Sequence, residues 1–207
     1  MMEDRKVNAL IFICSIFFGL LAISSLLSFK ILDFGFIKGP GGVIAYAFTF
    51  ICTDTLAEIW GRKTTARIVN YGFVLVLIAL LVVQITVHIP GAIPERNEVF
   101  NNVMGGTMRI YLASIIAYLV SQNHDVWAFE FWKKKTGGKH LWLRNNASTL
   151  VSQTLDTVLF VVIAFAGTGI PLMVLIPGQL VCKLVLAALD TPLVYASVKY
   201  TKKYIDR

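Results

Sequence analysis

Two runs of about twenty residues, Val7 to Ser28 and Ile68 to Ile89, contain no Lys, Arg, Asp or Glu. As helices rising about 1.5 Å per residue, each crosses the roughly 30 Å hydrocarbon core of a bilayer. A spanning segment must satisfy its backbone N–H and C=O groups internally, so such runs predict helices. Further apolar runs at Val43 to Trp60, Met108 to Trp132, Ala147 to Ala166 and Pro171 to Ser197 extend the pattern. The expectation is an all-α polytopic membrane protein, a bundle of about six transmembrane helices forming one domain over residues 1–207. Charged residues make up 15% of the chain, against roughly 25% in a soluble domain. The segment after Val7 is too long for the apolar region of a signal peptide, and no small-residue cleavage site follows, so it reads as a retained first helix.

Between the runs lie a loop with Lys30, Asp33 and Gly39 to Gly42, a basic turn with Arg62, Lys63 and Arg67, a polar loop from Pro90 to Gly106, and a basic segment from Lys133 to Asn145. Gly167 to Ile170 is a tight turn, and a kink is expected near Pro177 and Gly178. The net charge of +7 is gathered into these short connections, which argues against nucleic acid as a partner and for a lipid bilayer. With the N-terminus inside, fourteen basic residues fall on the cytoplasmic side: Arg5, Lys6, Arg62, Lys63, Arg67, Lys133, Lys134, Lys135, Lys139, Arg144, Lys199, Lys202, Lys203 and Arg207. Four (Lys30, Lys38, Arg96, Arg109) fall outside, and Lys183 lies within the last helix. The bias predicts both termini in the cytoplasm and a multi-pass protein of the cell membrane. Trp60, Trp127, Trp132 and Trp142 gather near the same interface as an aromatic belt. Asn146-Ala147-Ser148 is a glycosylation sequon that this topology places inside. Cys14, Cys52 and Cys182 sit in apolar runs without metal-ligand spacing and read as small buried hydrophobes.

Ionisable groups inside the helices carry the functional signal, because a mid-bilayer charge costs roughly 2.5–3.5 kcal/mol on insertion scales. Asp54, Asp125, Asp156 and Asp190 lie about 10–13 Å in from their cytoplasmic helix ends. Lys183 lies two turns deeper than Asp190 on the same face. Each acid on the last three helices stands in a polar stripe at helical spacing. These stripes are Ser114, Tyr118, Ser121, Gln122 and Asp125; Thr149, Ser152, Gln153, Asp156 and Thr157; and Gln179, Lys183, Asp190 and Thr191. Convergent polar faces predict either a polar solute site or a hydrogen-bond network that holds the bundle together. Buried carboxylates together with a lysine favour the solute site, since unpaired buried charge is costly.

The expected substrate site is Tyr118, Gln122, Asp125, Ser152, Gln153, Asp156, Gln179, Lys183 and Asp190. Asp54 and Glu58, one to two turns from a basic helix end, are expected either to form a cytoplasmic ion-pair gate with Arg62 and Arg144 or simply to neutralise that helix end. His124, beside Asp125, reads as packing in preference to a proton relay. No zinc-type His/Glu pair, G-x-S-x-G or Gly-rich phosphate loop occurs, so no catalytic residue, metal or cofactor is expected. Weak internal echoes occur between Glu58 to Thr64 and Glu130 to Thr136, and in the recurring Asp-Thr pairs.

Thr53 to Lys63 resembles the TDxxxExxG signature of the queuosine precursor transporters, formerly called vitamin uptake transporters. Ala113-Ser114 with Tyr118, Ser121-Gln122 and Asp125-Val126 is similar to a second block of that family. Leu141 to Thr149 with Ser152-Gln153 and Asp156-Thr157 is similar to a third, and Lys183 with Asp190-Thr191-Pro192 continues it. The resemblance implies a non-enzymatic importer of a 7-deazaguanine (preQ0, preQ1 or queuine) for transfer RNA modification. A guanine-like edge would give two N–H groups to a carboxylate and accept one from Gln, while its plane stacks on Tyr46, Phe50 or Tyr118. Asp156, with Gln153 one turn away, is the expected partner of that edge. A homodimer, and a role as binding subunit of an ATP-driven uptake complex, are both compatible with the sequence, and an intramembrane enzyme is the weaker alternative.

Overall fold

The computed structural model describes residues 2–35, 37–136 and 141–206. The side chains at 62, 122, 123, 125, 126, 129, 130, 132, 133, 141–149, 184 and 187–191 lie outside that description. The elements in order are α1 (Met2–Leu27), β1 (Ile31–Asp33), β2 (Lys38–Pro40), α2 (Gly42–Trp60), α3 (Arg62–His88), α4 (Pro94–Lys135), α5 (Leu141–Phe165) and α6 (Leu172–Ile205).

Large apolar side chains are exposed along the outer helix faces, while many small polar ones are buried between helices. On α3, Val74, Leu77, Ile78, Leu81, Val82 and Ile85 form an exposed stripe at helical spacing, and on α1 Ile11, Phe12, Ile16 and Ile23 are likewise exposed. Ser24, Ser25, Thr49, Thr55, Thr107, Ser121, Ser152, Thr157 and Gln179 are buried. Lipid tails accept the outer face, while small and polar residues join helix to helix. Among the described residues four helices are long and apolar enough to cross a membrane: Met2–Leu27, Gly42–Trp60, Lys63–His88 and Pro94–Ser121. Shorter apolar helical stretches, Leu150–Phe165 and Leu172–Lys183, lie in α5 and α6. The protein is therefore an α-helical, multi-pass membrane protein.

α4 packs along α5, α1 along α2, and α2 against α6; α3 lies against α2 and α4. Ala113 and Ala117 on α4, one turn apart, let α5 approach closely, and Val161, Ala164 and Phe165 of α5 with Leu175 of α6 complete that apolar cluster. A second cluster joins Ile13, Phe17, Cys52, Leu56 and Ile68 from α1, α2 and α3.

Three connections differ from the sequence expectation. The polar segment from Pro90 to Gly106 is helical from Pro94, which lengthens α4 to 42 residues. Pro94 suits a first helical turn, where its missing N–H is not needed, and Glu95 suits the positive helix end. The basic segment from Lys133 to Asn145 is mostly helical too, since α4 ends at Lys135 and α5 begins at Leu141. The first loop contains an antiparallel hairpin with Ile31 opposite Pro40 and Asp33 opposite Lys38. Its turn is fixed by Gly35, whose φ is +86° and whose N–H donates to Asp33 Oδ1 at 2.8 Å, and by a 3.1 Å Lys38–Asp33 ion pair. At Pro177, where a kink is expected, α6 carries the proline inside a continuous helix.

Two glycines set close approaches. A Cβ on Gly42 would collide with the Ser24 carbonyl and the Ser28 hydroxyl, so α2 starts directly against the end of α1. A Cβ on Gly178 would collide with the Lys38 carbonyl, so β2 lies on the backbone of α6. The hairpin thus covers one end of the bundle, and the Gly61 turn between α2 and α3 marks the other.

Candidate functional site

Gln153, Asp156 and Thr157 lie at positions i, i+3 and i+4 of α5, and Gln179 and Lys183 one turn apart on α6. Because α5 and α6 pack together, these two stripes meet. Lys183 Nζ lies 2.7 Å from Asp156 Oδ2 and donates to Gln153 Oε1 at 3.3 Å. Ser121 on α4 donates to Asp156 Oδ1 at 3.4 Å. The two charged side chains retain 12% and 20% exposure, so the pair is largely removed from solvent yet reachable. Gln179 is buried, and its Oε1 has no hydrogen-bond partner among the described residues. An amide oxygen left unpaired in such a place costs free energy that an incoming N–H would recover.

Two cavities meet at Asp156. The first, about 90 Å³, opens toward the hairpin end and is lined by Ser24, Ser28, Tyr46, Ser114, Tyr118, Asp156, Gln179 and Lys183, among others. The second, about 210 Å³, lies toward the Gly61 end and is lined by Thr49, Phe50, Thr53, Ser121, Gln153 and Asp156, among others. Between them Phe73 of α3 stacks on Tyr118 of α4, with ring centroids 3.7 Å apart and planes at 30°. Tyr46 meets Phe50 edge-on at 5.0 Å. The arrangement offers a carboxylate acceptor, a second acceptor on an amide, an ammonium and aromatic faces: groups suited to a flat, polar, N–H-bearing molecule.

The sequence-expected residues divide as follows. Tyr118, Gln153, Asp156, Gln179 and Lys183 line one or both cavities. Ser152 lines neither; its hydroxyl lies 3.0 Å from His124 Nδ1. The His124 ring also rests beside Trp127. The side chains of Gln122, Asp125 and Asp190 lie outside the described residues, as do those of Arg62 and Arg144. At the expected gate, Glu58 pairs with Lys202 of α6 at 3.1 Å, and Asp54 is exposed on α2. Among the described residues no group of three His, Cys, Asp or Glu side chains is placed to hold a metal ion.

Sequence reasoning misses Phe73 and the serines at the end of the first apolar run. Ser24 and Ser28, one turn apart in an apolar run, carry the helical spacing that marks a polar face; Phe73 carries no such signal, being one aromatic in an apolar helix.

Comparison with known proteins gives a family and several relatives. The family described as "Putative vitamin uptake transporter" matches residues 40–197. The "Probable queuosine precursor transporter" of Bacillus subtilis (strain 168) is 29% identical over 163 residues, covering 76% of this chain and 71% of the relative. The "Queuosine precursor transporter" of Escherichia coli (strain K12) is 29% identical over 129 residues, covering 60% of this chain and 54% of the relative. The "Probable queuosine precursor transporter" of Haemophilus influenzae is 29% identical over 142 residues, covering 68% and 57%. No solved structure matches the chain.

Proposed function

The chain belongs to the vitamin uptake transporter family, and from that premise we propose that it imports a queuosine precursor, a 7-deazaguanine, across the cell membrane. The observation that carries the reading is the Asp156–Lys183 pair beside the unpartnered Gln179 oxygen, inside a cavity walled by Tyr46 and Tyr118. A guanine-like edge presents adjacent N–H groups that Asp156 accepts. Gln179 accepts a third N–H or, turned, donates to the ring carbonyl. The ring lies against Tyr118. Lys183 holds the carboxylate while the site is empty and yields it to the ligand. Names carried by the relatives in three bacteria support the same substrate class.

The proposed topology has six spans, both termini in the cytoplasm and the hairpin outside. Its supports are the fourteen-to-four bias of basic residues and the alternation of α1 to α5 along the cavities. Gln122, Asp125 and Asp190 are proposed to extend the site from α4 and α6, and Asp54, Glu58, Arg62 and Arg144 to close its cytoplasmic end.

Uptake of labelled preQ1 into vesicles tests the function. Vesicles with the wild-type protein accumulate it faster than empty vesicles, and Asp156→Asn at equal protein level falls to the empty-vesicle rate. A wild-type rate equal to that of empty vesicles refutes the import reading.

A further inference from the structure

The wall shared by the two cavities takes one residue from each of five helices: Leu21, Tyr46, Phe73, Tyr118 and Asp156. Each helix crosses this level with the same order in space. Ser24, Val43 and Phe160 lie on the hairpin side of it; Phe17, Thr49 and Gln153 lie on the Gly61 side. Along the chain that order reverses from helix to helix, as antiparallel neighbours require. The cavities are therefore stacked along one axis rather than placed side by side.

Asp156 is divided between them. Its Oδ2 takes Lys183, which lines the hairpin-side cavity; its Oδ1 takes Ser121, which lines the other. Each cavity also has its own amide, Gln179 on the hairpin side and Gln153 on the Gly61 side, and Tyr118 lines both cavities. Each cavity is thus lined by a carboxylate, an amide and an aromatic ring, with Asp156 and Tyr118 shared and the amides separate.

We propose that the Gly61-side cavity is a second binding subsite for the same planar, N–H-donating heterocycle, in series with the first and separated from it by the Phe73–Tyr118 ring pair. This rests on the import reading and adds a path to it. Both cavities are smaller than the roughly 300–1,000 Å³ of an ordinary ligand site, so occupancy requires the partition to yield. A ligand ring that takes the place of Phe73 against Tyr118 exchanges one ring contact for another. Passing from one subsite to the next exchanges partners on a single carboxylate, which is never left buried and unpaired on the way.

The test uses two reporter cysteines in protein carrying Cys14→Ala, Cys52→Ala and Cys182→Ala. Ser114→Cys reports on the hairpin-side cavity and Thr53→Cys on the other. A membrane-impermeant thiol reagent is applied to vesicles of each orientation, with and without saturating preQ1. If the triple-alanine protein does not fold, the same reporters are read in the native background after subtracting its labelling. The expected result is labelling from opposite faces, with at least about a tenfold preference at each site, and slowing of both reactions by preQ1. Labelling of both sites from the same face overturns the proposal, as does protection of Ser114→Cys alone in protein that still takes up preQ1. Protection of neither site together with absent uptake overturns the import reading instead, and the assignment of this ligand with it.

Discussion

Lys183 on α6 reaches across to Asp156 on α5, its Nζ 2.7 Å from Oδ2, and so ties together the two helices that bear the cavity's amides. Replacing Lys183 by Met leaves a largely buried carboxylate without its cation. That variant is expected to lose on the order of 1–3 kcal/mol of stability. Lys183→Met with Asp156→Asn should recover much of the loss, because neither charge remains. Thermal unfolding in detergent of the two single variants and the double variant checks the order; a double variant less stable than Lys183→Met contradicts it.

Ligand affinity separates binding from folding at the same residue. Asp156→Asn removes a charged acceptor from the ligand edge and should weaken preQ1 binding about ten- to over a hundredfold, or 1.5–3 kcal/mol, in protein that still folds. A titration in detergent reads it, and an affinity within about twofold of wild type removes Asp156 from the site.

The Glu58–Lys202 pair is half exposed on both sides and spans 3.1 Å. Such pairs contribute at most about 1 kcal/mol. Glu58→Gln should therefore leave the unfolding temperature nearly unchanged while lowering the rate of transport at saturating substrate. An unchanged rate refutes the gate role.

Topology is open to a single labelling experiment. Lys135 ends α4 on the side proposed to be cytoplasmic. Lys135→Cys should resist an impermeant thiol reagent applied outside intact cells and react in inverted vesicles. Reaction from outside refutes the orientation.

The Asp33–Lys38 hairpin carries a pH dependence of known sign. The Gly35 N–H and then the Lys38 ammonium hold the Asp33 carboxyl below the ordinary carboxylate range. A lowered value means that the carboxylate contribution is fully present above the ordinary value and is lost as pH falls through the lowered one. Protection of the Gly35 amide relative to its intrinsic exchange rate should fall on acidification through that range in wild type and show no such step in Asp33→Asn.

Apolar runs of bilayer length fixed the helical, multi-pass class before any contact was known, because a spanning backbone has no water to bond and must close its own hydrogen bonds. The spacing within those runs also marked Gln153 and Asp156 as one face and Gln179 and Lys183 as another. Local signals were weaker in the connections, where the helical extensions at Pro94 and Leu141 and the Asp33–Lys38 hairpin depend on a few capping and turn contacts. Periodicity names the face of each helix but not its neighbour. Only the packing of α5 on α6 decided that Lys183 meets Asp156. The packing of α4 on α5 turned Ser152 to His124, away from the cavities. Phe73 became part of the partition for the same reason: α3 lies against α4 at the level of Tyr118, and an aromatic residue in an apolar helix acquires its role from the ring it touches.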